Sequence, residues 1–325
     1  MDTPLAERYR DRLPLTAATP IVTLGEGGTP LLPAPRLSAS LGLEVWLKWE
    51  GQNPTGSFKD RGMTIAISKA LEEGAQAVIC ASTGNTAASA AAYAARAGLP
   101  ALVLQPAGAV AIGKLAQARA FGARLLEVRG SFDDALAVAR ELAARGTHVL
   151  VNSLNPYRLE GQKTAAFEIL EQLGGQPDVV ALPYGGGGNT CAYAKGFDEA
   201  GALPQLVAVE ALKRKQTAAS AIRISDPVHA AEVAAVLERS RGRVVTVSDD
   251  AIVDAWRALA QEEGVFCEPA SAAGVAGLPH AGLEPGTRVV CVITGHGLKD
   301  PETVARLTPP ALAVDADPDA IAAVA

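Results

Sequence analysis

The chain has 325 residues, of which 49% are hydrophobic and 20% are charged. That balance excludes an intrinsically disordered chain, and the length is sufficient to bury a sizeable hydrophobic core. Its 29 basic and 35 acidic residues give a net charge of −6 without any long Lys/Arg cluster, so we expect no nucleic-acid partner.

The first fifteen residues carry scattered charges, and no run of about 18 apolar residues follows. We therefore expect a soluble, cytoplasmic protein with no membrane partner. The four cysteines, Cys80, Cys191, Cys267 and Cys291, are far apart and form no C-x-x-C pair. Their spacing indicates neither a metal site nor a disulfide framework and is typical of small buried side chains.

Short β-like runs alternate with longer runs of helical periodicity after an irregular opening rich in Pro and Gly. This alternation predicts an α/β fold built on doubly wound, mostly parallel sheets. We predict strands over residues 45–49, 78–81, 101–104, 124–128, 148–152, 179–183, 206–210, 244–247 and 288–294. We predict helices over residues 86–96, 132–145, 159–173, 230–239 and 250–263, and a helix or a frayed end over the Ala-rich residues 311–325.

The turn after the first predicted strand contains Lys59. Pro54 and Gly56 force a turn, and Ser57 can cap a following helix. Lys59 then projects from the first helical turn, where the positive end of the helix dipole opposes its protonation. Such a lysine could act as an amine nucleophile, although a solvated lysine at a helix start fits the same spacing.

A second polar turn, Ser82-Thr83-Gly84-Asn85-Thr86, leads from a strand into an Ala-rich helix. It directs hydroxyls, an amide and backbone N–H groups at one place, which suits a carboxylate ligand. An ordinary capped helix start fits this turn equally well.

Four consecutive glycines, Gly185 to Gly188, follow the strand over 179–183 and open a helix. Without Cβ atoms, the backbone N–H groups can approach a phosphate at the positive end of that helix. Glu210 ends the next strand where a ribose-binding acid would stand, so a dinucleotide site, and with it an NAD-dependent dehydrogenase, is an alternative. Because Thr190 replaces the third glycine of the dinucleotide fingerprint, we favour a single phosphate.

The last predicted strand is followed by Thr294 and His296. The Thr294 hydroxyl can donate or accept a hydrogen bond, so it is the better candidate for a ligand contact. His296 could be a general base, but a histidine beside glycines more often has a structural role.

A reactive lysine and a tetraglycine phosphate loop on an α/β scaffold imply a cofactor that carries an aldehyde and a phosphate, which is pyridoxal 5'-phosphate. The chain resembles the threonine synthases, within the fold-type-II pyridoxal-phosphate family that also contains serine/threonine dehydratases and the β-chain of tryptophan synthase. The matching segments are NPTGSFKDRG (53–62), ASTGNTAAS (81–89), GSFDDAL (130–136), NSLNPYRLEGQKTAAFEI (152–169), EPASAAGVAGL (268–278) and VCVITGHGLKDP (290–301).

The resemblance implies two lobes: a large cofactor-binding domain over 1–59 and 151–325, and a small mobile α/β domain over 60–150. It assigns catalysis to Lys59, which attaches the cofactor, and to Thr83. The cofactor-binding residues that it implies are Lys59, Phe58, Asn85, Gly185, Gly186, Gly187, Gly188, Asn189 and Thr294. The substrate-binding residues that it implies are Ser82, Thr83 and Thr86 for the carboxylate, and Asn152, Ser153 and Arg158 for a substrate phosphate.

The implied reaction converts O-phospho-L-homoserine and water into L-threonine and phosphate, the last step of threonine biosynthesis, in an enzyme expected to be a homodimer. Alternatives are a β-replacement enzyme that uses O-phosphoserine, a serine/threonine dehydratase, and a pyridoxal-phosphate-binding amino-acid sensor. The chain departs from the usual P-V-G-N-x-G-N at Tyr184 and Gly186, and from the usual I-R-I-G-N-P at Ser225 and Asp226. These departures could alter the choice of substrate.

Overall fold

The computed structural model describes residues 3–108 and 115–324, and it confirms the α/β fold. The strands within these residues are β1 (Leu31–Pro33), β2 (Glu44–Trp49), β3 (Val78–Ala81), β4 (Ala101–Pro106), β5 (Arg124–Val128), β6 (Val149–Leu150), β7 (Val179–Pro183), β8 (Gln205–Ala211), β9 (Arg243–Val247) and β10 (Arg288–Ile293). The α-helices within them are α1 (Leu5–Arg8), α2 (Pro35–Leu41), α3 (Lys59–Glu72), α4 (Asn85–Ala97), α5 (Ala116–Ala120), α6 (Phe132–Ala144), α7 (Pro156–Leu173), α8 (Gly188–Glu199), α9 (Ala230–Arg239), α10 (Asp249–Gln261), α11 (Ala273–Ala276), α12 (Pro301–Leu307) and α13 (Pro318–Ala322).

The larger sheet has the strand order β1-β2-β10-β7-β8-β9, and each neighbouring pair is parallel except β1 with β2. Alternate residues of its central strands enter different hydrophobic cores. Val289 and Cys291 pack on the side of α10 and α11, whereas Val290 and Val292 pack on the side of α7 and α8. Both faces of the sheet are therefore covered, as predicted for a doubly wound fold.

The smaller sheet is entirely parallel, with the order β5-β4-β3-β6. It is also covered on both faces: Val78 and Cys80 pack with α3 and α4, and Ile79 and Ala81 pack with α6. Its four strands lie inside the predicted small domain, 60–150, of which residues 109–114 lie outside the described part of the chain. The domain boundaries and the mobility of the small domain stay predictions.

Helices α3 and α7 cross backbone to backbone at two glycines. A Cβ on Gly161 would lie 1.8 Å from the Arg61 carbonyl oxygen, and a Cβ on Gly62 would lie 2.6 Å from that of Arg158. Only glycine allows this approach. The crossing brings the first turn of α3, which begins at Lys59, against the first turn of α7.

A buried cluster of ion pairs connects the α3–α7 crossing to the larger sheet. Arg61 pairs with Glu50 at 2.6 Å and with Glu168 at 2.6 Å, and Lys48 pairs with Glu168 at 2.7 Å. Thr29 accepts a bond from Lys48 through its carbonyl and one from Arg61 through its hydroxyl. The charges compensate one another in a region without water access.

Most predicted elements lie within two residues of the observed ones, and three of the differences have a visible structural cause. Strand β1 was not predicted, since three residues at an antiparallel edge carry no periodic signal. Helix α7 begins at Pro156, three residues before the predicted start, because Asn155 caps it. Strand β6 ends at Leu150 because the Asn152 side chain pairs with both backbone groups of Ala81, which replaces further strand pairing.

Residues 318–322 of the Ala-rich tail form the short helix α13. Cys80, Cys267 and Cys291 are buried and Cys191 is partly buried, all as free thiols. Within 3–108 and 115–324, no helix is both long and apolar enough to cross a bilayer, and no group of three His, Cys, Asp or Glu side chains could hold a metal ion.

Candidate active site

Lys59 is the first residue of α3, and its partly buried side chain lies across the Phe58 ring, with Nζ 4.3 Å from the ring centroid. The Phe58 N–H donates to the Thr294 carbonyl at 3.0 Å, which ties the start of α3 to the end of β10. Burial and the positive charge of Arg158 lower the pKa of Lys59 to about 7, although Glu268 acts in the opposite direction. A neutral amine is therefore accessible near pH 7.

Asn85 begins α4 and reaches across to the larger sheet, where its Nδ2 donates to Glu268 Oε1 at 2.9 Å. A buried hydroxyl pair lies beside this contact: Ser271 Oγ is 2.9 Å from Thr294 Oγ1 and accepts from the Gly295 N–H at 2.8 Å. The two sheets therefore meet at a group of polar side chains beside Lys59.

His296 has the structural role that its glycine neighbours suggest. Its Nδ1 accepts from the Leu298 N–H at 3.2 Å. Its ring is stacked on Trp49 and makes an edge contact with Phe266. Burial, together with the Lys299 charge, lowers the pKa of His296.

The glycine loop leads directly into α8, whose first residue is Gly188. Gly187 has φ +89°, and a Cβ there would lie 2.8 Å from Val233 Cγ2. Glu210, the acid of the dinucleotide alternative, is engaged by Arg214 and by Thr246. Because that carboxylate is already hydrogen-bonded, the geometry favours a single phosphate at this loop.

Arg158 lies inside the protein at the base of α7, with 1% of its surface exposed. Its Nη1 donates to the Val151 carbonyl at 2.9 Å, and its Nη2 donates to Gln162 Oε1 at 3.3 Å. Gln162 Nε2 in turn donates to Asn189 Oδ1 at 3.3 Å. These contacts connect the predicted substrate-phosphate residues to the predicted cofactor-phosphate loop.

The remaining predicted residues lie around this group. The Asn152 side-chain amide accepts from the Ala81 N–H and donates to the Ala81 carbonyl. The Ser82 Oγ accepts from the Gly84 and Ala87 N–H groups at the start of α4. The side chains of Ser153, Thr83 and Thr86 are partly buried. Asn152 and Ser82 thus already shape the backbone of the site.

Sequence reasoning did not single out four residues that the structure brings here, namely Glu268, Ser271, Gln162 and His229. Glu268 and Ser271 lie in the quoted segment EPASAAGVAGL, and Gln162 lies in NSLNPYRLEGQKTAAFEI. For Glu268 and Ser271 the available signal was a polar residue in an otherwise small-residue run, whereas Gln162 lies among polar neighbours and had no such signal. His229 had none, because it contacts the loop only through the fold.

The residues present fit a cofactor that carries a phosphate and a carbonyl group. Asn189 Nδ2, Thr190 Oγ1 and Ser57 Oγ are buried and have no hydrogen-bond partner among the described residues. Buried donors of this kind normally have partners. The positive end of α8 and the partly neutral Lys59 amine add a phosphate site and a nucleophile to these donors.

The fold and this site define a pyridoxal-phosphate-dependent enzyme. The family model described as "Pyridoxal-phosphate dependent enzyme" matches residues 22–295. The fold is shared with a solved threonine deaminase from the organism abbreviated T.th., with a TM-score of 0.73, 28% identity, and coverage of 90% of this chain and 96% of that one.

The particular relatives are threonine synthases. The chain is 50% identical to threonine synthase from Halalkalibacterium halodurans, over 92% of this chain and 90% of the relative. It is 51% identical to threonine synthase from Synechocystis sp., over 92% of this chain and 84% of the relative. The chain therefore belongs to the threonine synthases of the pyridoxal-phosphate-dependent family, as the resemblance of its motifs predicts.

Proposed function

We propose that this protein converts O-phospho-L-homoserine and water into L-threonine and inorganic phosphate. The observation that carries the substrate assignment is Arg158, a buried guanidinium that forms no ion pair with any described carboxylate. Burial lowers the pKa of Arg158, and Asp60 compensates its charge only from beyond ion-pair distance, so the site favours an anionic ligand. Because Arg158 also lowers the pKa of Lys59, a phosphate bound there would lie beside the reactive amine.

Pyridoxal phosphate, when bound, supplies an electron sink for negative charge on the substrate carbons next to the amine. Lys59 would attach its carbonyl carbon, and the glycine loop with Asn189 would hold its phosphate. Thr294 would face the ring nitrogen, where a hydroxyl leaves that nitrogen less fully protonated than a carboxylate would. Asn85, kept in place by Glu268, would contact the ring oxygen.

Lys59 Nζ acts as the base once the substrate amine has displaced it. With a pKa of about 7 the amine takes a proton from the substrate α-carbon, releases it, and takes a second one from the β-carbon. It delivers that second proton to the γ-carbon after the phosphate has left, and a proton returns to the α-carbon once water has added at the β-carbon. Its position across the Phe58 ring keeps bulk water from one side of the amine.

Arg158, Ser153 and Asn152 hold the phosphate on the γ-carbon before and after its bond breaks. Within the described part of the chain, Val151 and Gln162 use two of the five Arg158 N–H groups, which leaves donors for phosphate oxygens. The retained phosphate is then placed to take a proton from the water that adds at the β-carbon.

The proposal includes three features of the whole protein. The small domain, 60–150, closes over the large one to exclude water while unsaturated intermediates are present. The protein works as a homodimer in the cytoplasm. The free thiols support the cytoplasmic location, because thiols stay reduced in that compartment. Light scattering of the purified enzyme tests whether it is a dimer.

The test is an assay of purified, cofactor-saturated protein with O-phospho-L-homoserine that measures phosphate and threonine together. Equal amounts of both products are expected. Phosphate without threonine, or turnover of O-phosphoserine alone, would overturn the substrate assignment and favour a β-replacement enzyme. Turnover of unphosphorylated threonine or serine alone would favour a dehydratase, and cofactor binding without any turnover would favour a sensor.

Matched control variants distinguish the roles of Lys59 and Arg158 from general effects of substitution on the protein. Lys59→Ala abolishes turnover, whereas Lys195→Ala, on the exposed side of α8, retains it. Arg158→Lys raises KM for the phosphorylated substrate because an ammonium lacks the planar fork, whereas Arg145→Lys on the surface leaves KM unchanged.

A further inference from the structure

His229 lies immediately before α9 and packs against the glycine loop. Its backbone N–H donates to the Gly186 carbonyl at 3.1 Å. A Cβ on Gly187 would lie 3.1 Å from the His229 Cβ, and 8% of the histidine is exposed. The backbone of His229 is therefore held by the loop itself, which fixes where its side chain begins.

The imidazole reaches into the space between the two sets of predicted phosphate-binding residues. Its Nε2 is 3.4 Å from the Ser153 carbonyl oxygen and 3.6 Å from the position that a Cβ on Gly188 would take. Gly188 is the first residue of α8, and the buried Asn189 Nδ2 and Thr190 Oγ1 at that helix start have no partner among the described residues. The imidazole thus lies beside the start of α8, between the glycine loop and Ser153, and the Ser153 carbonyl is the acceptor that the described residues offer to its Nε2.

We propose that His229 binds the phosphate group of the substrate, through its Nε2–H. This inference rests on the proposed function and adds a residue to the Arg158 and Ser153 site. The present contact of Nε2 with the Ser153 carbonyl is long, and a phosphate oxygen is a stronger acceptor. Glu232 Oε1 lies 3.8 Å from the opposite ring nitrogen, Nδ1, which is beyond hydrogen-bond distance, so the hydrogen-bond contact of the ring in the described structure is the one at Nε2.

Gly186 gives the glycine loop no side chain at this position. A Cβ on Gly186 would meet Ile224 Cδ1 at 3.5 Å, which is ordinary contact, so the glycine is not required by packing. The His229 imidazole lies beside the loop at Gly188, so it brings a donor to a loop that has no side-chain donor of its own at Gly185 to Gly188.

The experiment uses the holoenzyme, so that the cofactor already fills its own phosphate site, and inorganic phosphate as the probe. The chain has four histidines, so the imidazole resonances are few enough to follow by NMR at fixed pH. His229→Gln assigns the His229 signal. Titration with phosphate is expected to shift that signal saturably and to leave those of His148 and His280 in place.

His229→Gln should weaken phosphate binding, measured by calorimetry, by roughly tenfold or more, the usual effect of one lost hydrogen bond to a charged group. KM for O-phospho-L-homoserine should rise more than kcat falls, and the cofactor absorbance should be unchanged. His280→Gln is the matched control. If His229→Gln does not fold, His229→Asn assigns the signal instead, and the wild-type titration then decides.

An unshifted His229 signal in phosphate-loaded holoenzyme overturns the proposal, as does phosphate binding that His229→Gln leaves unchanged, or no phosphate binding at all. A signal that shifts when the cofactor is added and not with phosphate overturns it too, since His229 would then serve the cofactor. If phosphate shifts His229 but O-phospho-L-homoserine is not turned over, the phosphate site stands and the proposed reaction fails.

Discussion

Asn85 Nδ2 donates to Glu268 Oε1 at 2.9 Å, and this bond joins residues 183 positions apart in the chain. Asn85 begins a helix on the smaller sheet, whereas Glu268 lies beside the end of β10 in the larger sheet, where its N–H donates to the Gly295 carbonyl. Glu268 also raises the pKa of Lys59 against the effects of burial and Arg158. One carboxylate therefore connects the two sheets and tunes the reactive amine.

Gly295→Ala should disturb this contact. The new Cβ would lie 2.4 Å from Glu268 Oε1, so the carboxylate must move away from Asn85. We expect a loss of about 1–3 kcal/mol in the free energy of unfolding, typical of overpacking, and weaker cofactor binding. Denaturant titration and cofactor absorbance measure the two effects. Gly175→Ala, where a Cβ meets nothing within 4 Å, should change neither.

The pKa of Lys59 predicts how the stability of the cofactor-free protein depends on pH. Burial lowers this pKa from 10.5 to about 7, so the unfolded chain binds the proton more tightly. Between about pH 7 and 10.5 the contribution of Lys59 to the free energy of unfolding therefore rises with pH. Lys59→Met removes this contribution. Urea titrations at pH 7.5 and 9.5 should show that the free energy of unfolding rises less with pH in Lys59→Met than in wild type. Equal rises would contradict the lowered pKa of Lys59.

Asp60→Asn should destabilise the first turn of α3. The Asp60 carboxylate accepts from the Thr55 hydroxyl and N–H and from the Ser89 hydroxyl, each at 2.6 Å. An amide turns one acceptor into a donor, so we expect a loss of about 1–3 kcal/mol in the free energy of unfolding. Asp254→Asn, on the exposed face of α10, is the control in thermal denaturation.

The same carboxyl has a pH signature. Burial raises the pKa of Asp60 from 3.8 to about 6, so the folded protein binds more protons than the unfolded chain between these values. Its contribution to stability is therefore lost as pH rises from about 4 to 6. Comparing the free energy of unfolding of wild type with that of Asp60→Asn over this pH range isolates the contribution of Asp60. Parallel pH dependences of the two proteins would exclude it.

Glu168→Gln should be the most damaging of these changes. Glu168 neutralises both Arg61 and Lys48 inside the protein, and these cations hold its pKa well below the usual range although burial acts to raise it. Removing one partner of a buried pair costs about 3–5 kcal/mol. Glu171→Gln breaks an exposed pair with Arg8 and should cost no more than about 1 kcal/mol. Guanidinium titration measures both, and equal losses would exclude the cluster as a main support of the fold.

Buried parallel strands were the most predictable part of the fold. Strands β3, β5 and β7 occupy the predicted residues 78–81, 124–128 and 179–183, because short apolar runs bounded by turn residues indicate such strands directly. Elements that depend on partners distant in sequence were less predictable. Strand β1 exists only because β2 pairs with it, and β6 is short only because Asn152 bonds Ala81.

The residues of the site also fall into those that local sequence predicts and those that depend on distant partners. Lys59 and Gly185 to Gly188 were predictable because their chemistry depends on local backbone: a helix start and a loop without Cβ atoms. Glu268 and His229 were not, since each acts on a residue that is distant in the chain.

The order of the amino acids was enough to predict the alternation of strands and helices, the lysine at a helix start and the phosphate loop, because periodicity and backbone freedom are local properties. The influence of Arg158 on Lys59, the bond between Asn85 and Glu268 and the approach of His229 to Ser153 depend instead on how distant segments pack. These contacts depend on how closely helices and sheets approach, as at Gly62 and Gly161, and that distance is set by packing across the whole fold.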